Sequence, residues 1–153
     1  KAIAITNHGN VYNWLERKIY AEEHGVKMLT GMECYVTEDT CDGTESEKHR
    51  DNYHTILIAK NPDGEKELFR LFDTSSKPDH QYYNKRISMN ELFALSGNIY
   101  KISACLASPL NKLRGNPDKA ELLDRLLSMY DYYEIQPHNN ADQKEYNLFL
   151  YHQ

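Results

Sequence analysis

Short apolar runs and longer stretches with helical spacing alternate along the chain. Ala2 to Thr6 is a brief apolar run closed by a polar turn, which predicts a buried strand. Asn10 then caps a predicted helix from Val11 to His24, with Val11, Trp14, Leu15 and Ile19 on one face and Gly25 as its stop. A second strand is predicted from Val26 to Thr37. It is followed by a loop from Glu38 to Asn52, rich in charge and Thr/Ser and expected to be the most mobile segment. Thr55 to Ala59 predicts a third strand, Asn61-Pro62-Asp63-Gly64 a turn, and Leu68, Phe69, Leu71 and Phe72 the apolar face of the next helix. An aromatic-bearing polar loop runs from Thr74 to Lys85. Ser88 and Glu91 have the capping-box spacing for a short helix through Leu95 that stops near Gly97. Ile99 to Leu106 reads as a strand. Asn116-Pro117 opens a helix carrying Leu122, Leu123, Leu126 and Leu127, Tyr132 to Ile135 reads as a last strand, and Tyr146 to Gln153 is helix-like.

This alternation predicts an α/β fold with parallel strands, either an open sheet or part of a barrel. No internal repeat or linker divides the chain, so residues 1–153 are expected to form a single domain with no second one. An apolar fraction of 40% over 153 residues suffices for a core. No apolar run approaches the roughly 18 residues that cross a bilayer, so no membrane partner is expected. Lys1 to Ile5 enter the first strand without a signal-peptide pattern, and both ends are expected to be cut from something longer. The net charge of −5 argues against holding DNA by neutralising its phosphates, and leaves open DNA held by neighbouring domains or through metal. Cys34, Cys41 and Cys105 are odd in number and form no C-x-x-C pair. A disulfide framework is therefore not expected, and a reducing, cytoplasmic compartment is.

Four strand-associated segments carry residue types that bind metals. Thr6-Asn7-His8-Gly9 follows the first strand, Gly31-Met32-Glu33 lies in the second, Tyr53-His54 opens the third and Ser103-Ala104-Cys105-Leu106 closes the fourth. In a parallel α/β fold, the C-terminal ends of strands share a mouth where ligands bind. His8 and Cys105 fit that description directly, and Glu33 fits it if its strand ends early. His54 precedes its strand, and reaches the same mouth only if that strand is antiparallel or its preceding loop folds over. Imidazole, carboxylate and thiolate together suit Zn²⁺, Mn²⁺ or Fe²⁺. Each residue also has a plain structural reading: His8 in a turn, Glu33 on a solvent face, Cys105 as a small buried hydrophobe. His24 stands at a helix C-terminus, where it suits the dipole. His49 and His80 lie in polar loops, while His138 follows the last strand and is a candidate to border the site. Tyr82-Tyr83 and Tyr132-Tyr133 have few basic neighbours and are expected to pack rather than stack on bases.

The phrases Ala2-Ile3-Ala4-Ile5-Thr6-Asn7-His8-Gly9-Asn10, Gly31-Met32-Glu33-Cys34-Tyr35-Val36, Tyr53-His54 through Ala59-Lys60-Asn61, Tyr83-Asn84-Lys85-Arg86-Ile87 and Ile102-Ser103-Ala104-Cys105-Leu106 together resemble successive motifs of one family. That family is the PHP domain of bacterial-type DNA polymerase III alpha subunits. The order and spacing of the motifs match over nearly the whole chain. The resemblance implies a partial distorted (β/α)7 barrel of PHP type, truncated at both ends. It places His8, Glu33, His54 and Cys105 on metal-ligand positions, with Zn²⁺, Mn²⁺, Fe²⁺ or Mg²⁺ as the divalent cofactor. The family's opening His-x-His pair and following Asp would lie before Lys1, and its closing Asp-x-His beyond Gln153, so the ligand set in this chain is expected to be incomplete. Where the family usually has Asp, this chain has Asn7, which keeps hydrogen bonding but not charge beside His8 and is expected to weaken the metal site. Arg86 lies in a family-like segment, where it either contacts a phosphate or makes a structural ion pair.

The resemblance implies a piece of a replicative DNA-directed DNA polymerase whose PHP domain supports metal-dependent 3′–5′ exonuclease proofreading in the intact parent. DNA and other replisome subunits, including a separate proofreading exonuclease, are the implied partners. Two alternatives stand beside it: a non-catalytic structural and docking module of the polymerase, and a free-standing PHP phosphoesterase.

Overall fold

A computed structural model describes residues 1–38 and 50–153. Most of the expected loop from Glu38 to Asn52, including Cys41 and His49, lies outside the described residues. Among the described residues, six strands and six α-helices follow in the order β1 (Ala2–Ile5), α1 (Trp14–Glu23), β2 (Lys27–Thr37), β3 (Tyr53–Ala59), α2 (Pro62–Ser75), β4 (Gln81–Tyr82), β5 (Asn84–Ser88), α3 (Met89–Ala94), β6 (Ile99–Ile102), α4 (Pro109–Leu113), α5 (Ala120–Met129) and α6 (Ala141–Tyr151). The strands form one six-stranded sheet in the order β4-β5-β2-β3-β6, with β1 also beside β2.

The class is mixed α/β, and the expectation of parallel strands holds only in part. β1 and β5 run parallel to β2, whereas β3 is antiparallel to both β2 and β6. The long strand β2 organises the sheet. On one edge it carries β3 from Gly31 to Val36. The other edge is shared in succession: β1 pairs with Lys27–Thr30, an isolated bridge joins His8 to Glu33, and β5 takes over from Tyr35 to Thr37. Alternation along β2 then separates two faces. Met32, Cys34 and Val36 enter a core with Leu57, Leu68, Ile87, Leu92, Ile99, Leu110, Leu126 and Tyr146. Glu33 and Tyr35 face the opposite side, half-buried.

The capping signals act largely as their chemistry predicts. Ser88 and Glu91 close a reciprocal capping box on α3, and Asn140 caps α6 through the Gln143 N–H. Asn61-Pro62 starts α2 rather than a separate turn: Asn61 accepts from the N–H groups of Asp63 and Gly64, and Pro62 takes the first helical position, where no N–H is needed. Asn10, in contrast, does not cap α1. Its side chain accepts from the Tyr12 N–H and donates to the His8 carbonyl, so it shapes a turn and the helix begins at Trp14.

The packed face of α1 also differs from expectation, because Leu15 and Ile19 are 58% and 47% exposed. Trp14 sets the rotation instead. Its indole N–H donates to Thr30 Oγ at 2.8 Å and its ring meets Phe69 edge to face, while Ala21 is buried on the same helix. The strand expected over Ile99–Leu106 ends at Ile102, since Ala104 takes a left-handed φ of 58° that no strand continues. The strand expected at Tyr132–Ile135 is reduced to one bridge between Ile102 and Tyr132, with Ser103 Oγ accepting the Glu134 N–H.

Candidate metal centre

The antiparallel course of β3 brings His54 to the end of the sheet where β6 finishes. β2 and β6 run one way and β3 the other, so the start of β3 lies beside the end of β6. Just past β6, Ala104 turns the chain. The Ala107 carbonyl accepts the His54 N–H at 3.0 Å, and the Ala107 N–H donates to Cys105 Sγ at 3.5 Å. This turn holds the thiol against the imidazole, with Sγ 3.6 Å from His54 Nδ1.

Glu33 enters from β2 on the same face. Its cross-strand partner is Ile56, which makes His54 its diagonal neighbour. Glu33 Oε1 stands 2.5 Å from His54 Nδ1, and Oε2 stands 3.5 Å from His8 Nε2. His8 is fixed through its backbone: the Glu33 N–H donates to the Asn7 carbonyl at 3.0 Å and the Gly9 N–H to the Glu33 carbonyl at 2.7 Å. The His8 and His54 rings meet edge to face with centroids 6.1 Å apart. At 68% side-chain exposure against 12% for Glu33 and 20% for His54, His8 forms the open rim of the cluster.

The electrostatics follow from these contacts. The hydrogen bond from His54 holds the Glu33 carboxyl below its ordinary range, against burial, which works to raise it. Cys105 and then Glu33 hold the His54 imidazolium up to about 9. The hydrogen bond to His54 likewise lowers the Cys105 thiol. Cys34, one residue from Glu33 but on the core face, goes the other way, because burial pushes its thiol up.

The donor atoms of Glu33, His54 and Cys105 all lie within 4.8 Å of one another. That is about the span of ligands that each stand ~2.0–2.3 Å from one shared ion. The donor set of nitrogen, oxygen and sulfur fits zinc or a similar transition metal better than magnesium, which prefers oxygen ligands.

The side chains of the other residues singled out from the sequence are engaged elsewhere or exposed. The Asn7 amide accepts from Arg17 Nη1 at 3.2 Å and donates to Asn10 Oδ1 and the Tyr12 carbonyl, both at 3.4 Å. Arg86 is 2% exposed, donates to the Asp51 carbonyl at 3.0 Å and lies over the Tyr82 ring. A phosphate contact would require it to turn outward. His138 is exposed in the connection before α6. His24 caps α1, with Nδ1 2.8 Å from the Tyr20 carbonyl.

Tyr35, which packs on His54, escaped the sequence reading, and His80, expected in a polar loop, is buried away from solvent. The two-residue spacing of Glu33 and Tyr35 on a strand was the available signal for the tyrosine.

Comparison with known proteins decides the family. The PHP domain matches residues 1–138. The chain belongs to the PHP domain family. Among curated proteins, this PHP domain is 32% identical over 155 residues to the DNA polymerase III subunit alpha of Treponema pallidum (strain Nichols), covering 95% of this chain and 13% of that protein. It is 30% identical over 148 residues to the subunit of Borreliella burgdorferi, covering 92% of this chain and 13% of the relative. It is 31% identical over 161 residues to that of Deinococcus radiodurans, covering 97% and 12%. The chain thus spans about an eighth of the length of these relatives. Among the described residues, no helix is long and apolar enough to cross a membrane.

Proposed function

We propose that this chain is the PHP domain of a DNA polymerase III alpha-type, DNA-directed DNA polymerase, forming part of a distorted (β/α)7 barrel as one domain. Its metal ligands are His8, Glu33, His54 and Cys105, and its reaction in the intact protein is removal of nucleotides from DNA 3′ ends. The observation that carries this reading is the convergence of Glu33, His54 and Cys105 donor atoms within 4.8 Å at the end of the sheet where His8 also arrives. A divalent ion held there would supply Lewis-acid activation of water and screening of a phosphodiester's charge.

The chain's own residues prepare the site. Glu33 divides its carboxylate, with Oε1 toward His54 and Oε2 toward His8, and so offsets a proton on either ring. His54 Nδ1 faces both Glu33 and Cys105, so one nitrogen, one oxygen and one sulfur share a focus. The open flank at His8 leaves room for a chain end to approach. DNA and other replisome subunits, among them a separate exonuclease, are the partners this reading carries, in the cytoplasm.

A second reading, a docking module without catalysis, is favoured by Asn7, which brings no charge beside His8, and by the net charge of −5, which opposes holding DNA by its phosphates. Elemental analysis of the full-length protein beside a 3′-end nuclease assay separates the two. Bound metal with activity that Glu33→Gln abolishes supports the first. Bound metal without activity supports the second, and absence of metal removes the ligand assignment.

A further inference from the structure

Tyr35 touches two parts of the centre that are far apart in the chain. It stands directly opposite His54 in the β2–β3 register. The His54 N–H is given to Ala107, outside the strand pair, which makes Tyr35 and His54 a non-hydrogen-bonded pair, the kind whose side chains stand closest. The two rings meet edge to face, with centroids 5.1 Å apart and planes at 72°. The Cδ2–Cε2 edge of the same tyrosine lies against Gly9. A Cβ at Gly9 would stand 2.9 Å from Cε2 and 3.2 Å from Cδ2, and the φ of 61° there already disfavours a side chain. Gly9 follows His8 directly and is tied to the Glu33 carbonyl.

We propose that Tyr35 is a positioning residue for His54, and that Gly9 provides the space its ring needs. His54 has to present one nitrogen to both Glu33 and Cys105. Rotation about its Cβ–Cγ bond would carry Nδ1 away from both. The tyrosine ring, backed by the Gly9 main chain, blocks that rotation from the side that the acid and the thiol leave open. The contact is made by the ring, so phenylalanine serves equally. A side chain at residue 9 drives the ring toward the imidazole and misaligns it. The second readout below rests on the metal reading of the site; the first does not.

The test uses the full-length protein, with wild type, Tyr35→Phe, Tyr35→Leu and Gly9→Ala compared after thermal melts show which variants are folded. The first readout is the rate at which diethyl pyrocarbonate modifies His54 in metal-free protein, resolved by peptide mass spectrometry with exposed His138 as internal reference. Tyr35→Leu and Gly9→Ala should react several-fold faster than wild type at His54 alone, and Tyr35→Phe at the wild-type rate. The second is zinc affinity by competition with a chromophoric chelator. It should fall about tenfold in Tyr35→Leu and Gly9→Ala, the low end of outer-shell effects on metal sites, and be retained in Tyr35→Phe. An unchanged His54 rate in folded Tyr35→Leu and Gly9→Ala overturns the proposal whatever zinc does. Faster modification together with no zinc binding by wild type removes the metal reading and leaves the positioning role standing. If Tyr35→Leu does not fold, Gly9→Ala, which keeps the ring, decides alone.

Discussion

His54 and His80 each sit between two acidic partners, yet the two arrangements differ in one decisive respect. At His54 both partners address the same nitrogen: Glu33 Oε1 and Cys105 Sγ stand 2.5 and 3.6 Å from Nδ1. At His80 they take opposite nitrogens, with Asp79 Oδ1 2.8 Å from Nδ1 and Glu91 Oε1 2.9 Å from Nε2. Donors that converge on one side of a ring can share an ion. Donors on opposite sides of the ring turn the imidazole into a strut. His80 is 7% exposed, and Glu91 uses its second oxygen to complete the α3 capping box with Ser88. One histidine thus gathers donor atoms at a single point, and the other ties the turn before β4 to the start of α3. Among the described residues only the first belongs to a cluster with metal-site spacing.

The largest expected effect breaks the comparison at its chemical end. Removing a converging donor, by His54→Ala or Glu33→Gln in the full-length protein, should weaken zinc binding beyond the roughly 100-fold upper range of outer-shell changes. His80→Gln should leave zinc affinity unchanged, because its partners cannot join one coordination sphere. Equal losses at His54 and His80, measured by chelator competition, would erase the distinction.

The next effect belongs to the strut and is read in stability. Burial alone would lower the His80 pKa, but its hydrogen bonds to Asp79 and Glu91 outweigh burial and raise it. Burial works to raise Glu91, and the Ser88 and His80 hydrogen bonds hold it down. The signs follow from linkage. The contribution of His80 is complete below its ordinary value of 6.5 and is lost as pH rises through the raised folded value. That of Glu91 is complete above its ordinary 4.5 and is lost as pH falls through the lowered one. The strut is therefore strongest between these two values. His80→Gln should cost about 1.5 kcal/mol there, the low end for charged hydrogen bonds, because the Asp79 side faces solvent. At ~2–4 °C per kcal/mol the melting temperature drops by several degrees near pH 6. The gap to wild type should narrow as pH rises through the raised His80 value. A gap independent of pH would mean that packing, not the proton, holds His80.

Much of this site was readable in the chain, for reasons that differ by residue. His8, His54 and Cys105 each lie in a short motif near a strand end, where local patterning finds them, whereas Glu33 lies inside β2, which runs on to Thr37. The obstacle was β3: nothing in Tyr53–Ala59 encodes whether it runs parallel or antiparallel, and its antiparallel course is what brings His54 to Cys105. The Ser88/Glu91 box was legible because capping is local chemistry. The His80 strut was not, because it joins residues 11 apart through a tertiary contact that no periodicity marks. The face of α1 was misjudged for a related reason. Counting Leu15 and Ile19 as core follows helical spacing, but the Trp14 indole has a hydrogen-bond partner in Thr30 and a ring partner in Phe69, and these fixed the rotation.

The smallest effect concerns Asn7, where residue chemistry and geometry point to different outcomes. An acid beside a ligand histidine can strengthen it, so restoring charge by Asn7→Asp would tighten metal binding about 10–100-fold through His8. The side-chain contacts favour another result. Arg17 Nη1 donates to Asn7 Oδ1, while His8 meets Glu33 instead. An aspartate here would pair with Arg17, a half-buried pair worth about 0.2–1 kcal/mol. It would also place a carboxylate oxygen against Asn10 Oδ1 and the Tyr12 carbonyl, which now accept from the Asn7 amide. The two terms oppose each other, so the expected net change in stability is under about 0.5 kcal/mol, with zinc affinity within about twofold of wild type. Repeating Asn7→Asp in an Arg17→Met background tests the route. Any stabilisation should vanish there, as coupling between touching residues requires. Repeating it with His8→Ala tests the alternative: a tenfold gain in zinc affinity that disappears with His8 would show that residue 7 acts on the metal centre after all, and that the His54 side of the comparison extends to the turn after β1.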